Sequence, residues 1–306
     1  MNLDINRSNL IKVILKNLSK LNYKELSIEK KLKDDLSPVT TIDVVNQYII
    51  ESSIKHFYPN DKILSEENLN DDFNKKSISL NKQIINNVLY NIKNEFSTKY
   101  FRVKDKLTWH IDPLDGTKGF IDGLVYSVAI AITTENKVVG SGILSFNLDK
   151  INSVFPKIII VVSSLSKIEI LDEDLNYLTI KPNTNAPFTI AVSRKHKSSS
   201  LNNFLHKKNI RFLEIDSQAK YISIILGLAS AYIRERKSCG KNSKDFTWDH
   251  LPGIHILTTN GNIAFDYNMK PVTFKNNEVF FNKYIIAAKD MDVFLQIQNI
   301  LKDFSE

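Results

Sequence analysis

The segment Trp109–Phe120, which reads WHIDPLDGTKGF, constrains this chain more than any other stretch. Asp112 and Asp115 flank Pro113, and Gly116 follows at once. Proline fixes its own φ and disfavours the α region for the residue before it, so the segment leaves a strand abruptly. Glycine then permits the tight turn that a side chain would obstruct. The two carboxylates are therefore expected to converge on one point.

Oxygen donors crowded in this way suit a hard cation. The carbonyl of Leu114 lies between the two aspartates in sequence and offers a third oxygen. Carboxylates and carbonyls are ligands that Mg²⁺ or Ca²⁺ prefers, whereas zinc favours nitrogen and sulfur. A plainer interpretation is a loop whose aspartates cap the following helix. The segment by itself does not decide between the two.

Composition bounds the class of protein. A chain of 306 residues can form one large domain or two apposed lobes, and 42% hydrophobic with 25% charged residues is typical of a globular protein. No apolar run approaches the ~20 residues of a membrane span, and the amino terminus has no signal-peptide pattern. Cys239 is the single cysteine, which excludes an internal disulfide. We expect a cytoplasmic protein without a membrane partner.

The formal net charge of +7 is compatible with nucleic acid or with a small phosphorylated substrate. The basic residues are scattered, and no Lys/Arg-rich block or RNA-binding signature occurs. No nucleic-acid partner is therefore expected. The sequence carries no interface signature, so the oligomeric state is left open, with a monomer as the default.

The order of periodic segments predicts the architecture. Apolar residues at helical spacing predict a first helix from Ser8 to about Leu26, and a second helix that begins near Thr41, with Thr41 or Asp43 as its cap. The polar stretch 68–98 is interpreted as an insertion or lid with one helix. Strands are predicted at 61–64, 107–111, 126–133, 138–144, 157–162, 167–171 and 177–180.

After Lys181–Pro187, the best candidate for a boundary, strands and helices alternate. A meander-rich first half and a βα-alternating second half predict an α+β/α/β layered sandwich. We expect an N-terminal α+β lobe (1–182) that carries most of the metal site and a C-terminal α/β lobe (183–306) that carries the substrate contacts.

Three further segments extend the opening motif: Ser37–Thr40 with Asp43, Ser65–Glu67, and Trp248–His250. With all four in this order, the chain resembles the lithium-sensitive phosphatase superfamily that includes inositol monophosphatase. The resemblance runs over nearly the whole chain and implies the α-β-α-β-α sugar-phosphatase fold of that family.

The resemblance also implies roles for individual residues. Metal-ligating oxygens would come from Glu66, Asp112, Leu114, Asp115 and Asp249, and the attacking water would be activated by Asp43 and Thr117. Two or three Mg²⁺ ions are implied, with Li⁺ or Ca²⁺ inhibitory. The chemistry is consistent, because a phosphate monoester is a dianion that repels hydroxide until cations neutralise it.

Within that superfamily the chain is most similar to the 3′(2′),5′-bisphosphate nucleotidases, through Asp216–Tyr221, Leu226–Ala229, Tyr232–Arg234 and the ending Lys118–Phe120. The similarity implies an adenosine bisphosphate substrate whose 3′-phosphate is removed, a role in sulfur metabolism, and substrate contacts from Gly116, Thr117, His196, Ser217, Lys220 and Arg234. Ser217 at a helix start suits phosphate, and Arg234 suits bidentate binding of a second phosphate.

Some stretches depart from the nucleotidase pattern, notably 145–166, 238–246 and Gly261-Asn262. Two alternatives therefore stand beside the nucleotidase hypothesis. One is an inositol phosphate phosphatase of the same superfamily, and the other is a non-catalytic nucleotide- or nucleic-acid-binding protein. The intact set of acidic residues argues against the non-catalytic alternative.

Overall fold

The structure is a computed structural model, and it describes residues 3–27, 29–33, 38–96, 106–135, 137–164, 166–180, 187–194, 200–208, 210–236 and 245–305. None of the helices within these ranges is long and apolar enough to cross a membrane.

The structure contains a six-stranded sheet in the order β3-β4-β5-β6-β7-β8, which together with its helices is called the first lobe. Its strands are β3 (Lys62–Ser65), β4 (Thr108–Asp115), β5 (Tyr126–Thr133), β6 (Val138–Phe146), β7 (Ile158–Ser163) and β8 (Ile168–Leu171). Two short strands, β1 (Lys30–Leu32) and β2 (Pro38–Thr40), pair separately. The helices are α1 (Leu3–Ser19), α2 (Thr41–Phe57), α3 (Asp72–Leu80), α4 (Lys82–Glu95) and α5 (Thr117–Ile121).

The second lobe contains a five-stranded sheet in the order β10-β9-β11-β15-β12. Its strands are β9 (Thr189–Val192), β10 (Arg211–Glu214), β11 (Ala231–Glu235), β12 (Ile263–Asp266) and β15 (Tyr284–Ala288), and β13 (Thr273–Lys275) with β14 (Glu278–Phe280) forms a ribbon. The helices are α6 (Ser200–Lys207), α7 (Ala219–Ile225), α8 (Thr247–Thr259) and α9 (Met291–Ser305).

Three apolar clusters stack these elements into five layers. One face of the six-stranded sheet packs against α1, α2 and α4. Its other face and the five-stranded sheet enclose α7 and α8 between them, and α6 and α9 cover the outer face of the five-stranded sheet. The predicted layered α+β sandwich is confirmed. The division into lobes 1–182 and 183–306 stays a prediction, because residues 181–186 of the proposed boundary lie outside the described residues.

Local predictions were less accurate than the architecture. The stretch 68–98 contains two helices instead of one, and the buried Ile85 and Ile92 of α4 pack into the main core, so it is not a lid. The predicted strand at 177–180 is only a bridge between Leu171 and Tyr177. The cap of α2 is Thr40, whose hydroxyl accepts the Ile42 N–H.

Candidate active site

Strand β4 delivers the opening motif through an irregularity in its pairing. Asp112 pairs with Ala129 of β5, and Asp115 pairs with Ser127. Between these two pairs, β4 therefore contains one residue more than β5. Pro113 cannot donate to the ladder, which explains why the extra residue falls there. The local bend is held by the Leu114 N–H, which donates to Asp112 Oδ1 at 3.1 Å.

The start of α2 fixes the carboxylate of Asp43. Its Oδ2 accepts the Thr40 N–H at 2.7 Å and the Thr40 hydroxyl at 2.6 Å, which completes a capping box. Its Oδ1 lies 3.2 Å from Thr117 Oγ1, which also lies 3.1 Å from the Leu114 carbonyl oxygen. The Thr117 hydroxyl can thus donate its one proton to Asp43 Oδ1 or to the Leu114 carbonyl oxygen. The sequence prediction that Asp43 and Thr117 form a pair agrees with this geometry.

Glu66 follows the end of β3, where its N–H donates to the Ile111 carbonyl at 3.2 Å. Its carboxylate is partly exposed and forms an ion pair with Lys33 Nζ at 2.8 Å. The same ammonium group contacts the buried Glu67 at 2.5 Å. Lys33 comes directly after β1, and sequence reasoning assigned it no role because nothing in the sequence brings that hairpin to Glu66.

A close approach joins the two lobes at Gly116 and Ser217. Both residues have positive φ, 84° and 75° respectively. A Cβ on Gly116 would lie 3.1 Å from the Ser217 Cβ, so glycine serves both the turn and the approach. The Ser217 hydroxyl points to the first sheet, 3.0 Å from Ser127 Oγ, which in turn lies 3.1 Å from Ser145 Oγ. Its predicted phosphate contact would therefore compete with this serine chain.

The acidic residues lie near one another and raise each other's pKa. Desolvation raises the pKa of Asp112 well above its usual value, and the charges of Glu66, Asp115 and Asp249 raise it further. Desolvation likewise raises the pKa of Asp115 to about 6, although Lys220 and the Gln218 N–H act against it. The pKa of Asp249 rises to about 8, first through desolvation and then through Glu66 and Asp115. Burial and mutual repulsion thus both oppose ionisation of these carboxyl groups.

These residues offer oxygen ligands only, which fits Mg²⁺ by donor chemistry. In the structure these carboxyl groups bond to protein groups: Asp112 to the Leu114 N–H and the Glu66 side chain, Asp115 to the Gln218 N–H, and Glu66 to Lys33. Accordingly, within the described ranges no group of three or more His, Cys, Asp or Glu residues is arranged to hold a metal ion. That the carboxylates of Asp112 and Asp115 converge on one cation stays a prediction.

A cavity of about 260 Å³ opens above these acids, between the two lobes. One wall carries carboxylates and the Gly116 turn, and the other carries cationic and aromatic side chains. Eight predicted site residues line it: Glu66, Asp115, Gly116, Thr117, Ser217, Lys220, Arg234 and Asp249. Asp43, Asp112 and Leu114 are buried behind that wall. His196 lies outside the described residues.

The cationic wall is built on α7 and β11. Lys220 is buried, with its Nζ 5.3 Å from the centre of the Tyr232 ring, and burial lowers the pKa of its ammonium group. Arg234 donates through Nε and Nη2 to Asp245 Oδ1, at 3.0 and 2.7 Å. Asp245 belongs to the stretch 238–246 that sequence reasoning only marked as unusual. No pattern in the sequence predicts that Asp245 pairs with Arg234.

The whole chain matches one family model. The description of that model is the inositol monophosphatase family, and the match covers residues 3–297. The chain belongs to this family.

Curated relatives of this chain include nucleotidases. A Candida albicans protein named 3′(2′),5′-bisphosphate nucleotidase 2 is 27% identical and is aligned over 84% of this chain and 83% of its own length. The 3′(2′),5′-bisphosphate nucleotidase of Schizosaccharomyces pombe is 25% identical over 87% of this chain and 84% of its own length. The Dictyostelium discoideum enzyme of that name is 27% identical over 86% and 87%.

Solved structures agree on the fold. An inositol monophosphatase family protein from Staphylococcus aureus MSSA476 superposes with a TM-score of 0.64 at 12% identity, covering 98% of this chain and 96% of that chain. An IMPase/NADP phosphatase complexed with Mg²⁺ and phosphate gives a TM-score of 0.59 at 12% identity, over 96% and 90%. At such identities the likeness concerns the fold alone.

Proposed function

We propose that this chain is a Mg²⁺-dependent phosphomonoesterase that converts 3′-phosphoadenosine 5′-phosphate to AMP and phosphate. The observation that carries the proposal is the cavity between the lobes, whose lining includes acidic residues and Thr117 on one side and Lys220 and Arg234 on the other. Asp43 lies behind the acidic wall in contact with Thr117. The names of the curated relatives support the choice of substrate.

The metal would be held by oxygens of Glu66, Asp112, Leu114, Asp115 and Asp249. Bound Mg²⁺ would supply neutralisation of the phosphate charge and a water of lowered pKa.

Asp43 and Thr117 then serve the attacking water. Desolvation raises the pKa of Asp43 to about 7, which suits a group that accepts a proton near neutral pH. Thr117 Oγ1 lies against both Asp43 and Leu114 and would orient the water by accepting one of its protons in a hydrogen bond. The water oxygen bonds to phosphorus and its proton passes to Asp43. The bond between phosphorus and the ribose oxygen breaks, and its electron pair stays on the ribose oxygen. That oxygen then takes a proton from solvent.

The opposite wall suits a second phosphate. Arg234 has five N–H donors, and Asp245 accepts two of its hydrogen bonds. Lys220 adds a cation whose position is limited by Tyr232. A substrate with two separated phosphates would thus place one at the acidic wall and one at the cationic wall. A monophosphate bound at the acidic wall would leave the cationic wall without a phosphate to bind.

The decisive assay measures phosphate release from 3′-phosphoadenosine 5′-phosphate, inositol 1-phosphate and inositol 1,4-bisphosphate, with Mg²⁺ and with EDTA. We expect the nucleotide to have the highest kcat/KM and EDTA to abolish release. Faster turnover of an inositol phosphate would refute the nucleotide assignment in favour of the inositol phosphatase alternative. Asp115→Asn should lose activity by orders of magnitude, whereas Asp174→Asn, at an exposed position, should not.

A further inference from the structure

Helix α8 contains a proline close to the proposed metal ligand Asp249. Pro252 lies in the interior of the helix Thr247–Thr259. In a regular α-helix the N–H of residue 252 would donate to the carbonyl of Trp248, but proline has no N–H and its ring crowds that carbonyl. The first turn of α8, which carries Asp249, therefore lacks one of its own hydrogen bonds.

The side chain of Gln218 fills this gap. Its Nε2 donates to the Trp248 carbonyl oxygen at 2.8 Å, and its Oε1 accepts the Gly253 N–H at 3.0 Å. Gln218 is 2% exposed, so these groups are bonded away from water. One buried amide thus supplies the donor that Pro252 removes and also binds the next N–H of the helix.

The main chain of the same residue reaches the other aspartate. The Gln218 N–H donates to Asp115 Oδ2 in a short hydrogen bond. Gln218 therefore contacts the carboxylate of Asp115 directly and the peptide group immediately before Asp249. It connects the β4 motif of the first lobe with α8 through three hydrogen bonds.

Packing between α7 and α8 keeps this amide in place. A Cβ at Gly253 would lie only 2.1 Å from Cδ2 of the Tyr221 ring, so the two helices approach closely at that glycine. The Tyr221 hydroxyl also lies 3.1 Å from His250 Nδ1. Gly253 thus permits the close approach of Tyr221. Pro252 leaves the Trp248 carbonyl without its helical donor, and the Gln218 side chain donates to that carbonyl instead.

We propose that Gln218 is a positioning residue that fixes Asp249 relative to Asp115, and that Pro252 creates the requirement for it. The inference rests on the proposed function, in which Asp115 and Asp249 both bind the metal. Gln218 itself touches no reacting atom in this scheme. The expected signature is a loss of metal affinity and kcat at little change in KM, together with loosening of the first turn of α8.

The test combines Gln218→Met with Pro252→Ala. Methionine matches the length of glutamine but removes both side-chain hydrogen bonds, and alanine at 252 restores an N–H for Trp248. We expect Gln218→Met to weaken Mg²⁺ binding, measured by calorimetry with Mg²⁺ alone, by about 10-fold to 100-fold. Hydrogen exchange of the peptide 247–254 should accelerate in the same variant.

The double variant Gln218→Met/Pro252→Ala should regain part of both losses, since the helix then bonds its own carbonyl. It also serves if Gln218→Met alone does not fold. Gln298→Met is the matched control. Gln298 lies on α9, and its Nε2 donates to the Tyr267 carbonyl at 2.7 Å, so the substitution removes the same kind of side-chain hydrogen bond elsewhere. It should leave Mg²⁺ affinity and exchange of 247–254 unchanged.

Wild-type Mg²⁺ affinity in Gln218→Met, or a double variant no better than the single one, would overturn the positioning role. The second outcome would mean that the loss does not come from the Trp248 carbonyl that Pro252 leaves without a helical donor. A wild-type protein that binds Mg²⁺ with these variant effects but releases no phosphate would refute the proposed function and leave the Gln218 inference standing.

Discussion

Arg234 and Asp245 form a partly buried ion pair in which two guanidinium N–H groups converge on one carboxylate oxygen, with Arg234 Nη2 at 2.7 Å. Asp245 Oδ1 also lies 3.4 Å from His250 Nε2. Although desolvation opposes it, hydrogen bonding from His250 and the charge of Arg234 lower the pKa of Asp245 to about 2, so the carboxylate stays ionised at neutral pH. The pair therefore orients the guanidinium at the mouth of the cavity.

Asp245→Asn should raise KM for the nucleotide by about 10-fold with a smaller change in kcat, because a weakened partner lets Arg234 move. Steady-state kinetics with 3′-phosphoadenosine 5′-phosphate checks this. Inositol 1-phosphate, which has no second phosphate, is the control substrate and should show no change in KM. An equal rise for both substrates would contradict the assignment of Arg234 to the second phosphate.

The contact between Thr117 and Asp43 yields a second prediction. Thr117→Val keeps the shape of the side chain and removes the hydroxyl that lies 3.2 Å from Asp43 Oδ1. We expect kcat to fall by about 10²–10⁴-fold, the usual contribution of a positioned proton-transfer group. Thr117→Ser, which keeps the hydroxyl, should retain most of the activity. If valine and serine behaved alike, the hydroxyl would have no part in water activation.

The fold was more predictable from sequence than the details of the site. Long periodic segments such as α2 and α9 and the continuously buried strands β5 and β6 depend on local hydrophobic pattern, which a sequence displays directly. Of the two helices in 68–98, α3 was not predicted because its sequence is largely polar and gives little helical periodicity. The cap of α2 was predicted at Thr41 or Asp43 instead of Thr40, because Thr40 and Thr41 have the same side chain and the sequence does not distinguish them.

Within the site, the acidic residues could be proposed from sequence because several lie in the compact motifs that carry the family resemblance. Lys33, Gln218 and Asp245 were assigned no role, because each acts through a partner distant in sequence: Glu66, Trp248 and Arg234 respectively. Only the fold establishes such pairs. Pro252 was given no role either, because only the structure shows which donor replaces its missing N–H.

The metal-free protein should lose stability as pH rises, through the acidic residues. The pKa values of Asp43, Asp115 and Asp249 are raised to about 7, 6 and 8 respectively, largely by desolvation. Between pH ~4 and ~8 the folded state thus holds protons that the unfolded chain has released, so this contribution falls with increasing pH. The lowered pKa values of His110 and His255, about 4, act in the opposite direction.

A difference measurement isolates the carboxylates from the histidines. Asp249→Asn removes one ionising group, so in EDTA its Tm should exceed that of wild type by an amount that grows between pH 5 and pH 8, on the order of several degrees. Addition of Mg²⁺ should raise the wild-type Tm more than the variant Tm. A Tm difference independent of pH would show that Asp249 is ionised in the metal-free fold.

The last prediction concerns Arg7, which is buried beside Asp61 far from the cavity. The Arg7 guanidinium bonds both carboxylate oxygens of Asp61, at 2.8 and 2.9 Å, and lies 4.5 Å from the centre of the Tyr58 ring. Asp61 also accepts the Trp109 Nε1–H at 2.9 Å. This cluster joins α1 to the segment that leads into β3 and to the base of β4.

Arg7→Met should destabilise the fold by about 3–5 kcal/mol, because it leaves the Asp61 charge buried without its partner. Urea unfolding measures this difference. The double variant Arg7→Met/Asp61→Asn should recover part of the loss, since an amide can still accept from Trp109 without carrying a charge. A double variant less stable than Arg7→Met would show that the Asp61 charge is compensated by other groups. KM for the nucleotide should stay unchanged in both variants, because Arg7 and Asp61 do not line the cavity between the lobes.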